Sequence, residues 1–482
     1  MNMLTYLATR RSLCTWPSAL GALLVVGAVG CSSNPPPLAI TRAPEAGTDS
    51  GGSGVTYKMV EIGTGGCATG GKQAVAAVSG STIAFASLAE TTMQQECNFT
   101  INGMPAMSKV DVWNVCYAES TGGGAFTTQV VTSQPYEEAT GVGLTFDSSG
   151  AANIAYSGLG ATPPAETCGA NDAFVTTMAS GGSTFSPGVQ ISNGSMSNGL
   201  VAGMKGNCSQ NVCGEGDVTG LWPTIGINSG TTMVAYRDTH FGFSHSDMAQ
   251  SDVELAEGTG SSYQVLTVDV SRGGGQYNKI AFTPAGLAAI VEYDETGQSP
   301  GLYIDLQLLP GSFGTQEGTG GWTSQQLETD GIGEVIGFAI SPKGVFGLAY
   351  YDTTRSLLLY THSTDGMSWS TPEAVDRNGT TGQYPSLAFD ENDNPAIAYY
   401  RCNAHLEATS CDPATDGLLL ARQSGSGSTW TISVISAISA ITDGPYPALA
   451  FLNGKAYIAF QQQSYNAVTA TTTSSWWVAE EP

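Results

Sequence analysis

One unit recurs seven times along this chain: a short apolar run, a tight polar turn, and a second run of alanines and aromatics. Clear copies are YPSLAFDENDNPAIAYYR at 384–401, YPALAFLNGKAYIAFQQ at 446–462 and VIGFAISPKGVFGLAYYD at 335–352. Such self-similarity is the mark of one supersecondary unit stacked many times. It also resolves a size problem. A chain of 482 residues exceeds a single ordinary core, whereas in an array each unit packs only on its neighbours.

Composition selects the kind of unit. Charged residues are 12% of the chain, against a usual ~25%. Glycine, with 62 copies, and small polar residues carry the solubility instead. Helix formers are sparse while β-branched and aromatic residues abound, so the chain reads as all-β. Each unit divides into four strands, a to d. Strand d opens on an aromatic: Phe126, Phe185, Tyr263, Trp322, Trp369, Trp430 and Trp476. Seven units of four antiparallel strands predict a seven-bladed β-propeller. The segment 56–62 is a candidate to complete the last blade from the N-terminal side, and 475–480 competes for that place.

Three parts are expected: a signal peptide over 1–30, a flexible linker over 31–54, and the propeller over 55–482. Arg10 and Arg11 precede a short apolar run, 19–29, too brief to span a bilayer as a helix. The run ends in Ala28-Val29-Gly30-Cys31, which resembles a bacterial lipobox. The resemblance implies lipidation of Cys31, with a membrane partner reached through that lipid and residence in the cell envelope, at the outer membrane or cell surface. The alternative is an ordinary secretory signal with an incidental cysteine. Residues 32–54 are rich in Pro, Gly and Ser and suit a tether. The net charge of −25 repels phosphate backbones and excludes nucleic acid as a partner.

After Cys31 eight cysteines remain. An even count in an exported chain suggests disulfides. Cys208–Cys213 and Cys402–Cys411 are the local pairings expected. Cys67, Cys97, Cys116 and Cys168 allow three connectivities, of which Cys97–Cys116 is preferred.

The turn Ser363-Thr364-Asp365-Gly366-Met367-Ser368-Trp369 is similar to the Asp-box of bacterial neuraminidase-type repeats, and 424–430 aligns with it except that Ser426 replaces the Asp. The resemblance implies a structural role on the face opposite any active face, and it extends to non-enzymes. Sialidases of that type grip a carboxylate with three arginines. Here seven arginines follow Cys31, scattered, and the family's Arg-Ile-Pro motif is missing.

Antiparallel strands put the a–b and c–d turns on one face and the b–c and d–a loops on the other. The a–b turns are tight. The long inserts, 87–111, 158–172, 193–221, 238–251 and 401–416, fall on the second face, where function on a rigid scaffold usually resides. Strand b ends there in Asp238, Asp294, Asp352 and Arg401 in four successive units. If the protein is an enzyme these three carboxylates are the catalytic candidates: sheets ~10 Å apart approach the ~6.5–9.5 Å of an inverting glycosidase pair. The plainer reading is that each Asp caps its own turn and Asp352 pairs with Arg401. Trp222, Tyr277, Tyr384 and Tyr446 recur five residues before the end of strand a. They are expected at the rim of the central channel, where flat rings suit sugars, or else packed against the neighbouring blade. His240 and His245 bracket one loop as weak metal candidates whose spacing matches no motif. No cofactor is expected.

The function expected from these residues is a binding module for a glycan or a protein partner, with a sialidase-like glycoside hydrolase as the alternative.

Overall fold

The computed structural model describes residues 56–101, 104–136, 141–160, 171–192, 218–239, 251–269, 274–294, 300–309, 321–329, 331–377, 380–401, 417–424, 429–437, 441–466 and 471–482. Cys31, Cys168, Cys208, Cys213, Cys402, Cys411, His240 and His245 lie outside them, as do the signal and the linker.

Strand a of each blade starts an antiparallel sheet: Lys72–Ser79, Val142–Phe146, Val218–Asn228, Gln276–Phe282, Ile332–Ile340, Thr381–Phe389 and Ala448–Leu452. Strands b, c and d follow in order, as in blade 4 with Ala288–Asp294, Gly301–Gln307 and Trp322–Thr329. Seven such units form a seven-bladed propeller, those of blades 2 and 3 joined at their edges by a parallel pairing of Val218 with Asn171, and the described residues hold almost no helix. The tight a–b turns are local chemistry. At 147–150, Asp147 accepts the backbone N–H groups of Ser149 and Ala151, a carboxylate doing the work of a turn.

In blades 4, 5 and 6 strand b is buried from end to end; Pro395–Arg401 has no exposed residue. Alternate side chains leave a strand on opposite faces, and here each face meets another blade. Ala396 and Ala398 pack toward blade 7, while Ile397 and Tyr399 pack toward blade 5. The outcome is seven apolar clusters, one in each gap between successive blades. The aromatics that open strand d belong to these gaps, each packed toward the preceding blade; Trp322, for example, is buried between blades 3 and 4.

Closure of the ring corrects one expectation. In blade 7, strand b is Lys455–Asn466, strand c is Thr471–Glu480, and strand d is Lys58–Glu61 from the start of the domain. Lys58 lies opposite Glu480 in the ladder and bonds it at 2.9 Å. Trp476 therefore sits on strand c, buried between blades 7 and 1, and the aromatic that opens the seventh d strand is Tyr57, packed between blades 6 and 7.

Two further corrections follow from register. The insert 87–111 is largely strand: b and c of blade 1 continue as Thr82–Ile101 and Met104–Thr121, a long hairpin. Cys97 lies opposite Ser108 in that hairpin, whereas Cys116 lies opposite Ser87. The intervening ten residues span ~30 Å of strand, far beyond disulfide reach. Cys116 bonds instead to Cys67, Cα to Cα 5.8 Å. This bridge ties the segment that follows the closing strand to the first blade.

Candidate functional site

Strand a breaks its ladder at the same place in several blades. Two residues bulge between Lys72 and Val75, Leu221 and Thr224, Gln276 and Lys279, and Gln383 and Ser386. The first residue of each bulge is left-handed: Gln73 (φ 53), Trp222 (φ 48), Tyr277 (φ 52) and Tyr384 (φ 53); in blade 7 Tyr446 (φ 54) takes the same place. A bulky residue with positive φ is an outlier costing ~1–2 kcal/mol. Two residues earlier stands a positive-φ glycine each time: Gly71, Gly220, Gly275, Gly382 and Gly444. These glycines cross close over the previous blade. A Cβ on Gly382 would lie 2.5 Å from Leu358 Cβ, and one on Gly275 would lie 2.9 Å from Arg237 Cβ.

The bulges surround one end of a central cavity of about 210 Å³, lined by strand a of all seven blades. Trp222, Tyr277, Tyr384 and Tyr446 all line it. They stand as two dyads: Trp222 and Tyr277 with ring centroids 5.2 Å apart, Tyr384 and Tyr446 4.5 Å apart. Val335 of blade 5 separates the dyads on one side, and Gln73 and Gly141 on the other. The guanidinium of buried Arg237 lies 5.4 Å from the Trp222 ring, within cation–π range.

The polar ends of strand b do not join this group. Asp238, Asp294, Asp352 and Arg401 are 0, 2, 8 and 4% exposed, and none lines the channel. Asp352 accepts the N–H groups of Thr354 and Arg355 and pairs with the Arg355 guanidinium at 3.0 Å. Arg401 is bound to Asp376 at 3.2 Å, which also accepts the Tyr399 hydroxyl. The expected Asp352–Arg401 pair is thus replaced by two separate pairs, because Asp352 meets Arg355 in the turn that follows its own strand, while Arg401 reaches across to Asp376 on the last strand of the preceding blade.

Sequence reading missed two features. Lys279 and Asn278 line the channel directly after Tyr277. Burial pushes the Lys279 ammonium down to about 8. The second feature is a carboxyl group cluster behind the Tyr277 bulge: oxygens of buried Asp269, Glu292 and Asp305 lie within 4.8 Å of one another. The Gly275 N–H donates to Glu292. Burial, then the charges of Asp269 and Asp305, push the Glu292 carboxyl well above the usual carboxylate range. The recurring Gly-x-aromatic at the start of strand a was the available signal for the bulges. Nothing local marked the carboxyl cluster, whose members come from two blades.

No protein-family model matches the chain, and no curated protein matches it. Among solved structures it is similar to a protein of unknown function from Dyadobacter fermentans (9% identity, 88% of this chain and 98% of that one, TM-score 0.45). It is also similar to a Hadza microbial sialidase (12%, 88% and 95%, TM-score 0.44) and to the NanB sialidase from Streptococcus pneumoniae (10%, 88% and 70%, TM-score 0.45). The strand pairing, not these likenesses, establishes the propeller.

Proposed function

We propose that the protein is a binding module, exported and anchored through a lipid on Cys31 in the cell envelope, that holds a glycan at the aromatic end of its channel. The observation carrying this reading is the set of four aromatics kept in left-handed backbone at equivalent bulges. Strain of that kind persists where the surrounding structure over-determines it, and it clusters at ligand clamps. Ring faces on two dyads offer stacking surfaces for sugar rings. Binding to a glycan array, lost in Trp222→Ala/Tyr384→Ala while the fold survives, is the expected result; binding that persists in the double variant would remove the site. Loss of fatty-acid labelling in Cys31→Ser tests the anchor.

The hydrolase alternative draws on Asp238, Asp294 and Asp352. Their burial away from the channel weighs against it. Turnover of a neutral fluorogenic glycoside, abolished by Asp294→Asn, would reverse that ranking.

A further inference from the structure

The seven copies of strand a make the channel a comparison of equivalent positions. One residue after the bulge aromatic stand Ala74, Val142, Pro223, Asn278, Ile336, Pro385 and Pro447; two residues after it stand Val75, Gly143, Thr224, Lys279, Gly337, Ser386 and Ala448. Six blades place apolar or small uncharged residues there. Blade 4 alone places an amide and an ammonium side by side.

Neither is explained by the protein around it. Asn278 is 2% exposed, and among the described residues neither its Nδ2 nor its Oδ1 has a hydrogen-bond partner. Lys279 has no hydrogen bond or ion pair among the described residues, and it is the one charged side chain that they contribute to the channel wall. Its counterparts Thr224 and Ser386 use their hydroxyls to bond the strand a of the next blade, at the N–H of Ile280 and Leu449. An ammonium has no lone pair with which to do so. A buried amide without partners and a half-buried cation without a counter-charge among the described residues both carry a free-energy cost. A bound anion would relieve both at once.

We infer that blade 4 makes this channel a site for a small organic carboxylate, its anion held by the Lys279 ammonium and the Asn278 amide and its body lying against the aromatic end. This rests on the reading of the channel as a ligand site and names the chemistry of its occupant. Size and charge narrow the class. About 210 Å³ is below the ~300–1,000 Å³ of pockets for drug-sized ligands. One ammonium balances one negative charge, and in a protein of net charge −25 a dianion would be left under-neutralised. Extended strand rises ~3.3 Å per residue, so across the bulge Lys279 stands at most ~7 Å deeper than Tyr277. A flat ring with a carboxylate at one end reaches from the dyad to the ammonium.

The probe is benzoate, with benzamide as its neutral isostere, titrated by calorimetry into the folded protein. Benzoate is expected to bind at least ~10-fold more tightly than benzamide. The preference is expected to vanish in Lys279→Met and in Lys279→Gln, with benzamide affinity unchanged. Should either variant not fold, the wild-type preference and the shift of the carbon-13 signal of reductively methylated Lys279 on adding benzoate decide the matter. Equal binding of the two probes, no binding of either, or a benzoate preference that survives Lys279→Met overturns the inference. Its failure is separable from failure of the glycan reading. Glycan binding without a benzoate preference removes the carboxylate site only. A benzoate preference without glycan binding removes the glycan only.

Discussion

Trp222 and Tyr277 face each other across the boundary of blades 3 and 4, ring centroids 5.2 Å apart and planes inclined by 47°, each on backbone with φ near +50°. Such a contact between bulky residues in the left-handed region needs a cause, since L-residues reach it only at a cost. Here the bulge imposes the backbone, and the preceding glycine allows the chain to pass close enough over the previous blade to make the bulge.

The strain is measurable at Tyr384, whose φ is 53°. Tyr384→Ala and Tyr384→Gly lose the same ring contact with Tyr446. Only alanine keeps a Cβ in the left-handed backbone. Tyr384→Gly is therefore expected to be about 1 kcal/mol more stable than Tyr384→Ala, read from urea midpoints. Equal stabilities would mean that the backbone there is unstrained.

The Cys67–Cys116 bridge closes a loop with a sequence separation of 49. Chain entropy alone sets its contribution at about 4 kcal/mol. Cys67→Ser/Cys116→Ser is expected to lose ~2–4 kcal/mol, and a reductant should then cause no further loss through this bridge. Peptide mapping of the unreduced protein should recover the Cys67 and Cys116 peptides joined; recovery of Cys97 with Cys116 would contradict the register of the hairpin.

Asp365 accepts the N–H groups of Ser368 and Met367, which hold its carboxyl at about 2, below the ordinary 3.8. A depressed folded-state value stabilises the fold above the unfolded value and is lost as pH falls through the folded one. The melting-temperature difference between the wild type and Asp365→Ala should thus hold from pH 7 down to about 4 and shrink toward pH 2. A difference independent of pH would assign the effect to the turn's shape rather than to the carboxylate.

Glu292 has the opposite sign. Its folded-state value is raised well above 4.5 by burial and by Asp269 and Asp305, so the folded protein holds the proton more tightly than the unfolded chain. Its contribution to stability is therefore full below pH 4.5 and declines as pH rises above that value toward the raised one. Glu292→Gln, neutral at every pH, should flatten that decline, with near wild-type stability at pH 5 and higher stability at pH 9. An unchanged slope between the two proteins in denaturant titrations would show that Glu292 ionises without cost.

Much of the architecture was legible because its causes are local. Strands b are continuous apolar runs, as a sheet buried on both faces requires, and the Asp147 and Asp390 turns carry their own acceptors. The rim aromatics were visible through their fixed distance from the end of strand a, though not the left-handed backbone beneath them. The partners of Asp352 and Arg401 were not legible. Arg355 lies three residues from Asp352 and Asp376 lies 25 from Arg401, and sequence spacing does not say which charge the fold brings nearest.

By itself, then, the amino-acid order determined the unit and its number: alternation with a period of two, turn residues and a recurring aromatic act within about fifty residues and need no knowledge of the rest. The tertiary structure decided how the ring shuts, with Lys58–Glu61 against Thr471–Glu480, which cysteine meets Cys67, and which side chains look into the channel. The closing pair joins segments 422 residues apart, the channel wall draws on all seven blades, and the Cys67–Cys116 link follows from the register of the long hairpin; no local pattern carries that information.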